Sequence, residues 1–490
     1  MSGRTLMVQG TASSVGKSLI TTALCRLYSR RGLRVAPFKS QNMALNSAVT
    51  PDGAEIGRAQ LVQAEAARAV PCADMNPILL KPETPSASQV VVLGRSRGTM
   101  NFRDYHQMKP ELRELVGAAL DRLRAQYDLV LIEGAGSPAE VNLKERDLVN
   151  MWVAARAEAK VVLVTDIERG GALAALVGTL ALLEPEERAR VSALVVNKFR
   201  GDPGLFVDGI RFLEQRTGVP VAGVIPHLGD LGIASEDSLD LRPQEPSMSD
   251  RAIAILKLPR LSNFDEFEPL ARELPVRWCT RPAEFEDAPL VIVPGTKCTV
   301  DDLGWLHRTG LAEALLERAR RGQPILGICG GYQLLGREIL DPEGIESSVA
   351  QASGLGLLPI VTRFEREKIT WPVRLRLGSG LPLLDSAAMV EARGYEIHCG
   401  RVSVAPKARP LGQIVQRGSE PCDAAEGAVA GSVAGTLVHG LFENAPVRAA
   451  LAKALGYSPT PTHPSDPYDA LADHLGNALD LKLIDRLVGL

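Results

Sequence analysis

Short apolar runs rich in Val, Ile and Leu recur through the first half of the chain, at Leu6–Val8, Arg34–Phe38, Leu129–Ile132, Val161–Thr165, Ala193–Val196 and Ala222–Ile225. Amphipathic helical stretches separate them. Apolar strands joined by helices predict a parallel sheet covered on both faces. The segment Leu241-Arg-Pro-Gln-Glu-Pro-Ser-Met-Ser-Asp250 interrupts the pattern with two prolines and few apolar residues, the composition of a linker. The alternation then restarts at Ile253–Leu258, Leu290–Val293 and Ile325–Ile328. Near the end, Ser458-Pro-Thr-Pro-Thr-His-Pro-Ser465 precedes a tail in which Leu471, Leu475, Leu479 and Leu483 recur every fourth residue, predicting a helix docked by one face. The expected organisation is one α/β domain over 1–240, a linker over 241–250, a second α/β domain over 251–457, and a Pro-rich connection with a C-terminal helix over 458–490.

A length of 490 residues, too great for one compact core, agrees with that division. The net charge of -3 supplies no general attraction to nucleic acid or to an anionic membrane, though it leaves room for a local basic pocket. No apolar run is long enough to span a bilayer. The strand beginning at Thr5 leaves no space for a signal peptide, so a cytoplasmic location is expected. Seven cysteines lie far apart, without the close pairs that bind metal, and six of them read as reduced residues filling space. Cys329 is the exception. No feature of the sequence sets an oligomeric state.

The first chemical signal is Gly10-Thr-Ala-Ser-Ser-Val-Gly-Lys-Ser18, a variant phosphate-binding loop between a strand and a helix. It has five residues between Gly10 and the Gly16-Lys17 pair where the usual loop has four, so Thr11 stands where the first Gly is expected. Backbone N–H groups at a helix start suit phosphate, Lys17 suits the terminal phosphates of ATP, and Ser18 suits Mg²⁺. Lys39 closes the second strand, within reach of a transferred phosphate or a substrate carboxylate. Glu133 ends the strand Leu129–Ile132 and is the expected second Mg²⁺ anchor. Asp52, in Pro51-Asp52-Gly53, is a turn residue first and a further metal-ligand candidate second. Asn197, in Asn197-Lys-Phe-Arg200, ends another strand where a base-reading residue is expected. Guanine readers carry an Asp three residues later, and Arg200 offers donors only, so the expected nucleotide is ATP.

The second signal is Gly327-Ile-Cys-Gly-Gly331, a G-x-C-x-G turn between strand and helix that resembles the nucleophile elbow with Cys replacing Ser. Such a turn exposes the sulfur, and N–H groups following it, such as that of Gly330, can hold an oxyanion. His439, in Gly435-Thr-Leu-Val-His-Gly440, is the candidate base. Gly295, after the strand Leu290–Val293, is a candidate for the second oxyanion N–H, although a plain Pro-Gly turn explains it as well.

On these motifs the chain resembles the cobyric acid synthase family, glutamine-hydrolysing amidotransferases of corrinoid biosynthesis. The specific stretches are Pro37-Phe-Lys-Ser-Gln-Asn-Met-Ala-Leu-Asn-Ser47, Glu55-Ile-Gly-Arg-Ala-Gln60, Met75-Asn-Pro-Ile-Leu-Leu-Lys-Pro82, Glu133-Gly-Ala-Gly-Ser-Pro-Ala-Glu140 and Gly394-Tyr-Glu-Ile-His398. The resemblance implies a dethiobiotin synthetase-like P-loop domain that activates carboxylates with ATP, followed by a class I glutamine amidotransferase-like domain. It also implies a corrinoid substrate, amidated at b, d, e and g of the a,c-diamide, with glutamine as nitrogen donor. Class I glutaminases place a Glu two residues after the catalytic His; here that position is Leu441, as in the corrinoid branch, which leaves His439 without its usual orienting carboxylate. Two smaller departures are Cys298, where the family has Asn, and Cys399, where Met is common. A cobyrinate a,c-diamide synthase is the nearest alternative. A partitioning-type P-loop switch ATPase is a more distant one, since such switches carry an extra Lys early in the loop and none occurs between Gly10 and Gly16.

Overall fold

The computed structural model describes residues 2–84, 86–229, 252–379, 383–457 and 466–490. The expected linker, 241–250, and the Pro-rich stretch 458–465 lie outside the described residues. The chain forms two compact units, one comprising Met1–Ala44, Ile56–Glu236 and Pro464–Leu490, the other Leu45–Glu55 and Asp237–His463.

The first unit is built on a six-stranded parallel sheet in the order Val221–Pro226, Val191–Phe199, Lys160–Asp166, Arg4–Gly10, Leu129–Glu133, Val35–Phe38. Its inner strands are apolar because helices cover both faces; every residue of Leu129–Glu133 is buried. Gly10 and Glu133 end adjacent strands, so the turn after one and the carboxylate of the other meet at the carboxyl edge of the sheet, where open α/β sheets bind ligands. A smaller sheet of Gln41–Met43, Ile78–Thr84, Ala87–Val92 and Arg95–Asn101 adds to this unit.

The tail packs within the same unit. It forms two helices, Pro467–Ala478 and Leu481–Val488, rather than one. The break falls at Leu479, which makes a bridge to Gly223, and Asp480 then caps the second helix by accepting from the Leu483 N–H at 3.0 Å. Leu471, Leu475 and Leu479 bury against Leu24 and Leu27 of the helix Lys17–Arg30. Arg26 of that helix is gripped by Asp469 at 2.8 Å and by Asp466.

The second unit has its own six-stranded sheet, ordered Val276–Cys279, Ile253–Leu256, Val291–Val293, Ile325–Ile328, Val433–Thr436, Ala428–Ala430. All neighbours are parallel except the last pair. A second, largely antiparallel sheet is dominated by the long strands Ile360–Leu377 and Glu391–Val404. Hydrogen bonds and an ion pair help fasten the segment Leu45–Glu55 into this unit. Ser47 N–H donates to Asn263 Oδ1 at 3.0 Å, Thr370 Oγ1 donates to the Gly53 carbonyl at 2.7 Å, and Lys368 pairs with buried Glu55 at 2.5 Å. Among the described residues of both units, no helix is long and apolar enough to cross a membrane.

Candidate active sites

In the first unit the loop after Gly10 reaches the helix Lys17–Arg30 through two left-handed residues, Ser14 with φ 58° and Gly16 with φ 101°. A Cβ on Gly16 would lie 2.2 Å from the Asn197 side chain, so only glycine fits that turn. Asn197 donates its amide to the Val15 carbonyl at 2.8 Å, bracing the loop from the neighbouring strand. Thr11 is also engaged in the scaffold: its N–H donates to the Val164 carbonyl at 2.9 Å and its hydroxyl to Thr165 Oγ1 at 3.1 Å. Arg200 pairs with Glu168 on the surface.

Charge is concentrated around Glu133. Its Oε1 accepts from Ser18 Oγ at 2.9 Å and from Lys39 Nζ at 2.8 Å, and its Oε2 accepts from Gln63 Nε2 at 2.5 Å. Glu133 and Lys39 are both buried, an arrangement stable only because the charges are paired and hydrogen-bonded. Lys17 Nζ, also buried, donates to the carbonyls of Ala12 at 2.8 Å and Gly136 at 3.2 Å, folding its ammonium back over the loop. The hydroxyl of Ser18 beside the carboxylate of Glu133 is a hard-oxygen set of the kind Mg²⁺ shares with phosphate oxygens, so these residues fit that ion. Asp52 belongs to the segment that groups with the second unit, where its carboxylate accepts from Thr50 Oγ1 at 2.5 Å.

In the second unit Cys329 sits at the junction of the strand Ile325–Ile328 and the helix Gly330–Leu334 with φ 51° and ψ −110°, a strained conformation for a residue with a side chain. Glycines make the junction possible. A Cβ on Gly331 would come 1.9 Å from the Val293 carbonyl oxygen, and one on Gly330 would come 2.9 Å from the Thr296 nitrogen. The Cys329 N–H donates to the Thr436 carbonyl at 2.8 Å, tying the elbow to the strand that leads to His439. Thr436 is fixed in turn by buried Glu426, which accepts from its hydroxyl at 2.8 Å and from the Leu437 N–H at 2.7 Å.

His439 is buried beside Cys329 and stacks on Tyr395 with ring centroids 5.3 Å apart. Gly295 packs against the same ring, and a Cβ there would reach 2.8 Å from Cε1. Cys329, His439, Gly330 and Gly295 therefore meet in one place. The residue absent from the sequence reading is Glu266. Its Oε1 lies 2.7 Å from His439 Nδ1 and its Oε2 accepts from the Gly440 N–H at 2.9 Å, with both side chains buried. It comes from the 3-10 turn Phe264–Phe267, far upstream, while Leu441 at the expected carboxylate position is packed in the core. Burial opposes the imidazolium, but the negative charges of Glu266 and Cys329 outweigh it and raise His439 to about 10. By contrast, burial pushes the thiol of Cys279 up to about 12 and raises that of Cys25 still further, as expected of inert cysteines.

Family comparisons match one domain in each half of the chain. Residues 6–241 match the CobQ/CobB/MinD/ParA nucleotide binding domain and residues 252–447 the CobB/CobQ-like glutamine amidotransferase domain. The chain is 53% identical to a cobyric acid synthase of Sorangium cellulosum (strain So ce56), over 100% of this chain and 99% of that one. The chain belongs to the cobyric acid synthase family. Its cobyric acid synthase relative from Chloroflexus aurantiacus (strain ATCC 29366 / DSM 635 / J-10-fl) is 48% identical with 100% of both chains covered. That from Dehalococcoides mccartyi (strain CBDB1) is 46% identical, covering 98% of this chain and 97% of its own. As a member of this family the chain is an enzyme with a nucleotide-binding half and a glutamine amidotransferase half.

Proposed function

We propose that the chain converts corrin side-chain carboxylates to primary amides, using ATP to activate the carboxylate and glutamine to supply ammonia. The observation that carries this reading is the presence in one chain of a buried Lys–Glu phosphate site and a Cys329–His439–Glu266 array, two chemistries that are useful only together. A carboxylate resists ammonia because oxide would have to leave; phosphorylation converts the leaving group to phosphate. Lys17 and Lys39 stabilise the charge that builds on the transferred phosphoryl group and the incoming carboxylate. Ser18 and Glu133 would hold Mg²⁺, which neutralises phosphate charge when bound.

In the glutaminase half, the Cys329 thiolate attacks the side-chain carbonyl of glutamine, and N–H groups of Gly330 and Gly295 receive the oxyanion. His439, held protonated by Glu266, gives its proton to the departing ammonia. It then takes a proton from the water that cleaves the thioester to glutamate. Free ammonia is protonated near neutral pH and loses its nucleophilicity, a reason for joining the two activities in one chain. We assign the substrate as the a,c-diamide, amidated at b, d, e and g, on the basis of full-length identity with cobyric acid synthases. Mass spectrometry of this corrinoid after incubation with enzyme, ATP, Mg²⁺ and glutamine should show several added amides. Product amidated only at a and c, from the undecorated acid, would instead identify an a,c-diamide synthase.

A further inference from the structure

Gln63 lies on the helix Arg58–Ala67 and is fully buried. Its amide nitrogen donates to Glu133 Oε2 at 2.5 Å. That contact fixes which end of the amide is which, because a carboxylate that also holds Lys39 and Ser18 needs donors. The amide oxygen, Oε1, is therefore the end not bonded to Glu133, and it has no hydrogen-bond partner among the described residues. A buried acceptor left in this state is costly. Of the neighbouring amides, Gln60 has its oxygen engaged by Asn42 Nδ2 at 3.0 Å. Gln9 also leaves its oxygen without a hydrogen-bond partner among the described residues, but its nitrogen rests on the sulfurs of Met7 and Met151, so of the three only Gln63 is bonded to Glu133.

An acceptor beside a site for phosphate and carboxylate cannot serve either of those groups, which bring only acceptors of their own. It suits a small N–H donor. The Glu133 carboxylate is already paired with Lys39, so a second cation gains little there and a neutral donor suffices. We propose that Gln63 positions ammonia for attack on the activated carboxylate, one N–H bonded to its Oε1 so that the nitrogen lone pair faces the acyl carbon. The inference rests on the synthetase reading above. In the step itself, ammonia's lone pair forms the C–N bond of the amide. The C–O bond to phosphate breaks and its electron pair leaves with phosphate. One proton of the original ammonia ends on the departing group, giving hydrogen phosphate, and Gln63 is unchanged.

The test uses full-length Cys329→Ala protein, in which ammonium chloride is the nitrogen source, with and without Gln63→Met. Two quantities are measured: the KM for ammonium at fixed pH, and corrinoid-dependent positional isotope exchange in ATP without any nitrogen source, which reports phosphoryl transfer alone. The expected result is a rise in ammonium KM of about tenfold or more, the scale of one lost hydrogen bond, with exchange reduced by a clearly smaller factor. Loss of exchange equal to the loss of amide formation would overturn the proposal, since Gln63 would then serve only to hold Glu133. So would an unchanged ammonium KM accompanied by a raised Mg²⁺ requirement, which would assign the oxygen to the water of a hydrated cation. If the protein with Gln63 intact shows no corrinoid-dependent exchange, it is the synthetase reading that fails.

Discussion

The phosphate site and the thiol site solve the problem of buried charge in different ways. Around Glu133 the partners are the Lys39 ammonium and the neutral donors Ser18 and Gln63, and the loop obtains its shape from left-handed Ser14 and Gly16. Around Cys329 the thiol sits on strained backbone, and its base is held by a single remote carboxylate. The first site is a cradle whose charges are in place before substrate arrives. The second is a proton circuit, poised by Glu266 acting through His439. The difference teaches where each is vulnerable: the cradle at its cations, the circuit at its proton.

The largest expected effect separates the two. Lys17→Ala should lower amide formation by about 10³-fold or more whether glutamine or ammonium is offered, because no acyl phosphate forms. Cys329→Ala should abolish glutamine-dependent amidation yet keep the ammonium-supported reaction, which should rise with pH as more ammonia is unprotonated. Product amides counted for both variants and both nitrogen sources decide this. If Cys329→Ala still uses glutamine, the assignment of the nucleophile is wrong.

Next in size, Glu266→Gln should reduce glutaminase kcat/KM by about 10²- to 10⁴-fold, the range seen when a base loses its orienting carboxylate. Ammonium-supported synthesis should persist. Glutamate release, followed alongside synthesis from ammonium, provides the check, and full glutaminase activity in this variant would remove Glu266 from the circuit.

A third effect is thermodynamic. The folded-state value of His439, about 10, lies above that of an unfolded imidazole, about 6.5. The stabilisation from its pairing is therefore complete below pH about 6.5 and is lost as the pH climbs through about 10. Thermal midpoints of the unsubstituted protein should decline across that window more steeply than those of Glu266→Gln. Equal slopes would contradict the pairing.

The smallest effect on catalysis is expected from Leu441→Glu, which restores the carboxylate that other class I glutaminases carry in sequence. Glu266 already occupies His439 Nδ1, and Leu441 is packed in the core. The substitution should leave glutaminase turnover no higher while costing about 1–3 kcal/mol of stability through an unpaired buried polar group. A large gain in turnover would show that Glu266 does not fill the role.

The six strands of the first unit's large sheet, and three of the six in the second unit's, were legible because they are continuous apolar runs. Gly16-Lys17-Ser18 and Gly327-Ile-Cys-Gly-Gly331 were legible because each holds its backbone chemistry within a few consecutive residues. The strand Ile360–Leu377 was not, since one of its faces is solvated and the run Arg363 to Lys368 hides the alternation of a half-buried strand. Glu266 was hidden for another reason. In Asn263-Phe-Asp-Glu-Phe267 it reads as one of several acidic residues at a turn, and only tertiary folding brings it to a histidine so far along the chain. A signal was present in the vacancy at Leu441, which required a carboxylate from elsewhere without saying which. Gln63 offered less still, because a helical glutamine is ordinarily a surface residue.

The segment Leu45–Glu55 bears on how such a gene could be divided. A natural place to cut this chain into two polypeptides is the stretch between the two α/β regions, near residue 240. The downstream product would then lack Glu55, so Lys368 would lose the buried carboxylate it pairs with, a loss on the order of 3–5 kcal/mol for a broken buried pair. The upstream product would lack the two C-terminal helices, so Arg26 would lose Asp469, and Leu24 and Leu27 would face water. Each half thus keeps a piece of its own fold on the other side of the cut. Evolution by fission at that point would require both pieces to be rebuilt first, so the two activities are inherited as one reading frame.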